Sequence, residues 1–273
     1  MLGFLGLAAA ANLVIWYWLE AWFYRPLGLL VEEARKIVPL DLPDLKGPNL
    51  WRFPDELRRL VDYYTAQYQS LAERLIESEE MFIQMIFMIN AAVEAKDPYT
   101  RGHSEKVAQY ARMIVDKLDL PAPEKEKIIL AALLHDVGKI GTRESILNKK
   151  GKLTEDEYQE IKLHSQAGRE ILSNSSALWE VVPLIYHHHE RFDGTGYPDR
   201  LVGNDIPLAA RIVSLADVYD ALRSRRVYKP ALSHSTAMMA IIDGSPGQFD
   251  PALIPAFQAC APKLERVFRE YAG

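Results

Sequence analysis

The chain has 273 residues, 49% of them hydrophobic, which is enough for one sizeable core with an accessory region but not obviously for three domains. Its net charge of −5 provides no basic field for nucleic acid, which argues against long DNA or RNA and favours a small phosphorylated ligand held by a local basic cluster. Cys260 is the single cysteine, so an intramolecular disulfide is excluded and any metal is left to His and carboxylate ligands.

The first segment, residues 1–24, predicts one transmembrane helix. Residues 1–19 contain no Lys, Arg or Asp, and an aromatic cluster of the kind found at membrane interfaces closes the segment. Basic residues follow from Arg25, so the positive-inside rule places the rest of the chain in the cytoplasm. We therefore expect a single-pass protein of the inner membrane. A cleaved signal peptide is the alternative, but no basic segment precedes the apolar run.

The second segment, residues 25–80, predicts two helices joined by a proline-rich connector, with the second helix beginning near Asp55. Apolar side chains repeat along this second helix at steps of four and three, with Ser78 as the polar exception. The repeat is formed by Leu57, Val61, Tyr64, Tyr68, Leu71, Leu75, Phe82, Met85 and Ile89. This spacing predicts a coiled coil and a parallel homodimer. A plain amphipathic helix packed against the rest of the chain is the alternative.

Beyond Ile89 the sequence shows helical periodicity and short polar loops, with no alternating pattern of strands and hairpins. The remainder is therefore predicted to be all-α. The predicted helices are 105–118, 124–135, 154–173, 177–189, 208–223 and 251–269.

Histidines are concentrated in one part of the chain. Of the seven in the sequence, six lie between positions 103 and 189, and Asp136 follows one of them directly at the end of an apolar helix. A buried carboxylate at that point needs a cation, and one carboxylate can bridge two metals about 3.5 to 4 Å apart. Mixed imidazole and carboxylate donors suit a first-row transition metal better than Mg or Ca. The pattern therefore predicts a two-metal site with Asp136 as its bridge.

Three motifs in this order resemble the HD-GYP family of cyclic di-GMP phosphodiesterases, within the HD superfamily. They are AKDPYTRGHSEKVA at 95–108, HDVGKIG at 135–141 and HHERFDGTGYP at 188–198, the last followed by ARIVSLADVYDAL at 210–222. The resemblance covers residues 81–273 and implies an HD-superfamily helical bundle there. Residues 25–80, directly after the expected membrane helix, are similar to a HAMP signalling module.

The resemblance also implies two sets of metal ligands. One set is His164, His188 and His189, the other is His103, His135 and Asp217, and Asp136 is shared between them. It further implies that the metals are iron or manganese. Some family members recruit a third metal through a glutamate at the position of Tyr99, so two metals are expected here. His187 is interpreted as a neighbour of the ligands and His234 as a surface or helix-start residue.

The substrate contacts follow from the same resemblance. Lys139 is expected to meet a phosphate oxygen during catalysis, and a compact ammonium suits that role. Arg226 and Lys229 are expected to hold the second phosphate or a guanine edge, and Asp193 and Tyr197 to shape the pocket. Glu190 is expected to orient a ligand histidine through its second ring nitrogen. The resemblance also implies that a diguanylate cyclase or another signalling partner docks at the loop around Tyr197.

These features predict hydrolysis of cyclic di-GMP to pGpG, with slow or absent continuation to GMP and with an activated water, rather than a side chain, as the nucleophile. Two alternatives remain. One is an HD phosphohydrolase acting on another cyclic dinucleotide or nucleotide. The other is a catalytically silent scaffold that binds nucleotide and transmits the binding signal through the coiled coil.

Overall fold

The structure is a computed structural model that describes residues 53–97, 102–224 and 230–272. The chain divides into two compact units, Met1–Glu79 and Glu80–Gly273. The predicted membrane segment, the first HAMP-like helix and the proline-rich connector up to residue 52 lie outside the described residues. The assignment of 1–24, 25–80 and 81–273 as separate domains stays a prediction.

Helix α1 spans Phe53–Lys96 and corresponds to the predicted second helix near Asp55. Within the first unit, the apolar side chains of Tyr68, Leu71 and Leu75 are 72%, 55% and 58% exposed. Within the second unit, Ile86 is buried in the hydrophobic core. The coiled coil predicted from these positions stays a prediction.

The second unit consists of helices joined by short loops and 3-10 turns. After α1, the α-helices are α2 (His103–Val115), α3 (Ala122–Leu134), α4 (Glu144–Leu147), α5 (Glu155–Lys162), α6 (His164–Leu172), α7 (Val182–Tyr186), α8 (Leu208–Arg223), α9 (His234–Asp243) and α10 (Ile254–Ala272). The described residues contain no strand, which confirms the predicted all-α class.

Helix α8 is the central element of this unit, because it packs against α2, α3, α7 and α9. Its sequence is apolar around most of its circumference, as expected for a helix that is covered on several sides. Three aromatic side chains join its neighbours: the Tyr219 ring lies 5.0 Å from that of Tyr110 on α2 and 5.6 Å from that of Phe257 on α10, both edge to face. All three are fully buried, so this contact joins α2, α8 and α10 within the core.

Two predicted helices are shorter in the structure than in the sequence analysis. The segment 154–173 is interrupted at Leu163, where the Ile161 carbonyl accepts a hydrogen bond from the His164 imidazole at 2.6 Å. The segment 177–189 contains a 3-10 turn (Ser176–Leu178) and helix α7, which ends at Tyr186 before the histidine doublet. In both places a histidine side chain bonds a backbone carbonyl of the helix and so competes with the backbone N–H groups for it. Hydrophobic periodicity does not predict such a bond.

Helix α9 was not among the predicted helices. Its N-cap is Ser233, whose hydroxyl accepts the backbone N–H of Thr236 at 3.1 Å. His234 is its first residue, which agrees with the helix-start interpretation of that histidine.

The expected inner-membrane location is corrected by the structure. Among the helices within 53–97, 102–224 and 230–272, none has both the length and the apolar character that a bilayer crossing requires.

Candidate metal centre

The structure brings together all seven predicted metal ligands. Six of them form two groups: the carboxylate cluster, which is His103, His135 and Asp217, and the imidazole cluster, which is His164, His188 and His189. Within each group the potential ligand atoms lie within 4.8 Å of one another. These are the two sets that the family resemblance implied.

Asp136 lies between the two clusters. Its Oδ2 is 3.4 Å from His135 Nε2 and 3.8 Å from His103 Nε2, whereas its Oδ1 is 3.8 Å from His164 Nε2. Each carboxylate oxygen therefore faces a different cluster. This is the geometry that a carboxylate shared by two cations requires.

Three of the histidines are oriented by the same local interaction. The Nδ1 atoms of His135, His164 and His188 lie 2.7, 2.6 and 2.5 Å from the carbonyl oxygen three residues earlier. A carbonyl only accepts, so Nδ1 carries the proton and Nε2 keeps its lone pair. The ends of helices α3, α5 and α7 thus present unprotonated Nε2 atoms to the site.

These unprotonated nitrogens show that the site fits a metal. His164 Nε2 and His188 Nε2 are 3.5 Å apart. In the neutral rings the proton of each lies on Nδ1, so neither Nε2 can donate a hydrogen bond to the other. His135 Nε2 is buried and has no hydrogen-bond partner among the described residues. Facing lone pairs and an unpaired buried nitrogen are unfavourable unless a cation lies between them. The donor set matches that of transition-metal sites.

Electrostatics distinguish the two clusters. Burial and the neighbouring His164 lower the pKa of His189 to about 3, and the pKa values of His164 and His188 are also lowered by burial. Burial also acts to lower the pKa of His103, but Asp217 and Asp220 outweigh it and raise the value to about 9. In the metal-free protein the imidazole cluster is therefore neutral near pH 7, while His103 is protonated.

These shifts predict a stability maximum near pH 6.5 for the chelator-treated protein. For His189, whose folded pKa is below the unfolded value, stability falls as pH drops from 6.5 towards 3. For His103, whose folded pKa is above it, stability falls as pH rises from 6.5 through 9. Urea denaturation across this range measures the profile. Stability that still rises between pH 7 and 9 would contradict it.

Lys139, which is expected to meet a phosphate oxygen, contacts two carboxylates in the structure. Its ammonium lies 2.7 Å from Asp136 Oδ2 and 3.5 Å from Asp97 Oδ2. Burial acts to raise the pKa of the Asp136 carboxyl, but the Lys139 charge and the His135 imidazole hold it well below its usual range. Lys139 therefore keeps a positive charge at the carboxylate shared by the clusters.

The loop that follows the histidine doublet lines a cavity of about 850 Å³ beside the imidazole cluster. His189 and Tyr197 both line it, with their ring centroids 4.8 Å apart. Lys162 and Arg200 also line this cavity, and the Lys162 ammonium lies 5.4 Å from the centroid of the Tyr197 ring. The cavity therefore joins an imidazole of the cluster to cationic and aromatic side chains.

Two residues of this loop have contacts other than those predicted. Asp193 Oδ1 accepts hydrogen bonds from the backbone and the hydroxyl of Thr195 at 2.9 and 2.6 Å, so this oxygen closes the turn instead of facing the cavity. Glu190 Oε1 accepts the backbone N–H of Asp199 at 2.7 Å. The Nδ1 atoms of His135, His164 and His188 bond backbone carbonyls instead, so the expectation that Glu190 orients a ligand histidine stays a prediction.

Of the remaining positions named in the sequence analysis, three cannot be described and one, His187, has defined contacts. Arg226, Lys229 and Tyr99 lie outside the described residues. His187, interpreted as a neighbour, bonds Asp199 Oδ2 at 3.0 Å through Nε2 and the Pro183 carbonyl at 2.8 Å through Nδ1.

The sequence analysis missed Asp220 and Lys106. Asp220 bonds His103 Nδ1 at 2.7 Å, and the Lys106 ammonium lies 2.8 Å from Asp220 Oδ1. A spacing signal was present, because Asp220 follows Asp217 by three positions and Lys106 follows His103 by three, which places each pair on one helix face.

Comparison with known proteins agrees with this architecture. The family model described as HD domain matches residues 88–253. The chain is 38% identical over 223 residues to the cyclic di-GMP phosphodiesterase response regulator RpfG of Xanthomonas campestris, an alignment that covers 80% of this chain and 59% of that protein. It is 38% identical over 231 residues to the 3'3'-cGAMP-specific phosphodiesterase 1 of Vibrio cholerae, covering 77% of this chain and 53% of that protein.

Among solved structures, a cyclic GMP-AMP specific phosphodiesterase of Vibrio cholerae superimposes with a TM-score of 0.53 at 21% identity, over 67% of this chain and 50% of that chain. This likeness concerns the fold. The chain spans little more than half the length of the two curated relatives described above. Because the family model covers more than half of the chain, the protein belongs to the HD domain family.

Proposed function

We propose that the protein is a metal-dependent phosphodiesterase of the HD-GYP type that hydrolyses cyclic di-GMP to pGpG. The observation that carries this proposal is the pair of ligand clusters with Asp136 between them, beside a cavity lined by His189 and by cationic side chains. The names of the relatives support a cyclic dinucleotide as the substrate.

The ligand set defines what the bound metals contribute. Two divalent metals, held by the carboxylate cluster, the imidazole cluster and Asp136, would act as Lewis acids and make water a usable nucleophile near neutral pH. Imidazole and carboxylate donors together suit first-row transition metals, and the resemblance to the HD-GYP family narrows this proposal to iron or manganese. No side-chain nucleophile is needed for this reaction.

The chain's own residues supply positioning and charge. Helix-end carbonyls orient His135, His164 and His188, so three ligand nitrogens are preorganised before any metal binds. Lys139 holds a buried positive charge beside Asp136 and is available to neutralise charge that develops on a phosphate oxygen. Lys162 and Arg200 give the cavity the charge that suits a doubly anionic substrate.

A second candidate is hydrolysis of a mixed cyclic dinucleotide. It is favoured by the 3'3'-cGAMP-specific relative, whose identity to this chain equals that of the cyclic di-GMP enzyme. The two substrates differ in one purine, so the contacts of the cavity with that base decide between them. If the protein is instead a catalytically silent scaffold, it should bind the nucleotide without hydrolysing either compound.

Product analysis tests these candidates. The full chain, purified anaerobically with Fe(II) or Mn(II), is given cyclic di-GMP, 3'3'-cGAMP or cyclic di-AMP, and the products are separated by chromatography. Accumulation of pGpG, absent with Asp136→Asn, is the expected result. Faster turnover of 3'3'-cGAMP would support the second candidate, and no turnover of any compound with either metal would support the scaffold.

We also propose that α1 forms a parallel coiled coil in a homodimer. Support comes from the exposed apolar side chains of Tyr68, Leu71 and Leu75, which follow the four-three repeat. Docking of a signalling partner at the loop around Tyr197 remains a prediction.

A further inference from the structure

One buried network outside the predicted ligand set is centred on Asp220 of α8. Asp220 is 1% exposed, and its Oδ2 lies 2.7 Å from Nδ1 of His103. The ammonium of Lys106, on the same helix as His103, lies 2.8 Å from Asp220 Oδ1 and 3.1 Å from Oδ2. The Ser224 hydroxyl, one turn along α8, is 3.1 Å from Oδ2.

His103 differs from the three carbonyl-bonded histidines because its Nδ1 partner is a carboxylate. A carboxylate attracts the Nδ1 proton more strongly than a carbonyl does, so it fixes the tautomer and increases the electron density at Nε2. That Nε2 is the atom 3.2 Å from Asp217 Oδ1 and 3.8 Å from Asp136 Oδ2. Lys106 compensates the buried charge of Asp220, which would otherwise be costly.

We propose that Asp220, with Lys106, is a positioning residue that makes His103 a strong ligand and so sets the affinity of one metal position, the one formed by the carboxylate cluster. The imidazole cluster has no described contact with Asp220 and is joined to His103 only through the shared Asp136, so its metal position should depend much less on this network. The inference rests on the proposed two-metal function. According to this inference, the two metal positions differ in metal affinity, and only the affinity of the carboxylate cluster depends strongly on Asp220.

Asp220→Asn tests this inference because it preserves volume and an acceptor oxygen while removing the charge. Asp250→Asn is the matched control: Asp250 is also buried, its Oδ2 pairs with Arg211 and its Oδ1 accepts the backbone N–H of Ala252, but no described contact joins it to a metal ligand. Full-chain proteins are dialysed against buffered Mn(II), and bound metal per chain is measured by mass spectrometry.

Wild type and Asp250→Asn are expected to bind two Mn(II) per chain. At the same free Mn(II), Asp220→Asn is expected to bind one, and its second ion should require about 10- to 100-fold more Mn(II). Two ions bound with wild-type affinity, or equal weakening of both, would overturn the inference. A wild type that binds two ions without hydrolysing a dinucleotide would overturn the proposed function alone, and one that binds fewer than two would overturn both.

If the Asp220→Asn variant does not fold, a second measurement tests the inference on the wild-type protein. In the Zn(II)-loaded wild type, long-range proton–nitrogen NMR reports which ring nitrogen of His103 carries its proton, with His103→Gln used for assignment. A slowly exchanging proton on Nδ1 is expected. A proton on Nε2, or an Nδ1 proton that exchanges as fast as that of an exposed imidazole, would overturn the role of Asp220.

Discussion

Replacing Asp136 with asparagine is expected to reduce the rate of cyclic di-GMP hydrolysis by at least about 100-fold. Two bound metals contribute several kcal/mol of transition-state stabilisation, and each 1.4 kcal/mol corresponds to a factor of ten in rate. Asp136 is the residue whose two oxygens face both clusters, so its charge acts on both metal positions. An asparagine side chain retains one weak oxygen ligand and directs an N–H₂ group at the other position.

The same variant separates a chemical role from a structural one. Asp136→Asn removes a buried negative charge beside Lys139, so a loss of fold could also abolish activity. Asp250→Asn removes an equally buried charge, beside Arg211, and is expected to retain the wild-type rate. The rates are compared by initial velocities of pGpG formation, with circular dichroism as the measure of folding. A folded Asp136→Asn protein with more than a tenth of the wild-type rate would exclude Asp136 from the metal centre.

Replacing Gly138 with alanine is expected to lower the free energy of unfolding by about 3 kcal/mol or more. A Cβ at this position would lie 1.8 Å from the His164 carbonyl oxygen and 2.5 Å from the Gly168 nitrogen, both of them backbone atoms. Gly138 belongs to a 3-10 turn, Val137–Gly141. Backbone atoms of α6 move only with the helix, so this turn and α6 have to separate. That separation displaces His164, so we also expect weaker metal binding.

Gly141 provides the matched control within the same turn. Its added Cβ would meet only the Ala167 Cβ, at 3.8 Å, which is ordinary van der Waals contact. Gly141→Ala is therefore expected to change the free energy of unfolding by less than about 1 kcal/mol. Both variants are compared with wild type by urea denaturation of chelator-treated protein. Equal stabilities of the two variants would contradict the close approach at Gly138.

Helix boundaries show where sequence periodicity was sufficient. Helix α8 was predicted as 208–223 and is found as Leu208–Arg223. The segment after Pro207 is apolar except for a polar residue at every third position from Arg211, which is a helical spacing, and neighbouring helices cover its apolar faces. The predicted helix 154–173 was instead divided at Leu163, since His164 bonds the Ile161 carbonyl. Hydrophobic spacing does not detect a side chain that replaces a backbone donor.

The sequence by itself determined the all-α class, and its motifs, through the family resemblance, named the seven proposed metal ligands that the structure brings together. Only the tertiary structure decided how those ligands are oriented and charged. Asp220 lies 117 positions from His103, and their bond exists because α2 packs against α8. The contact of Glu190 with Asp199 and the position of Lys139 between Asp136 and Asp97 were decided in the same way. Such contacts depend on how helices and loops pack together, and a residue's own sequence neighbourhood does not encode them.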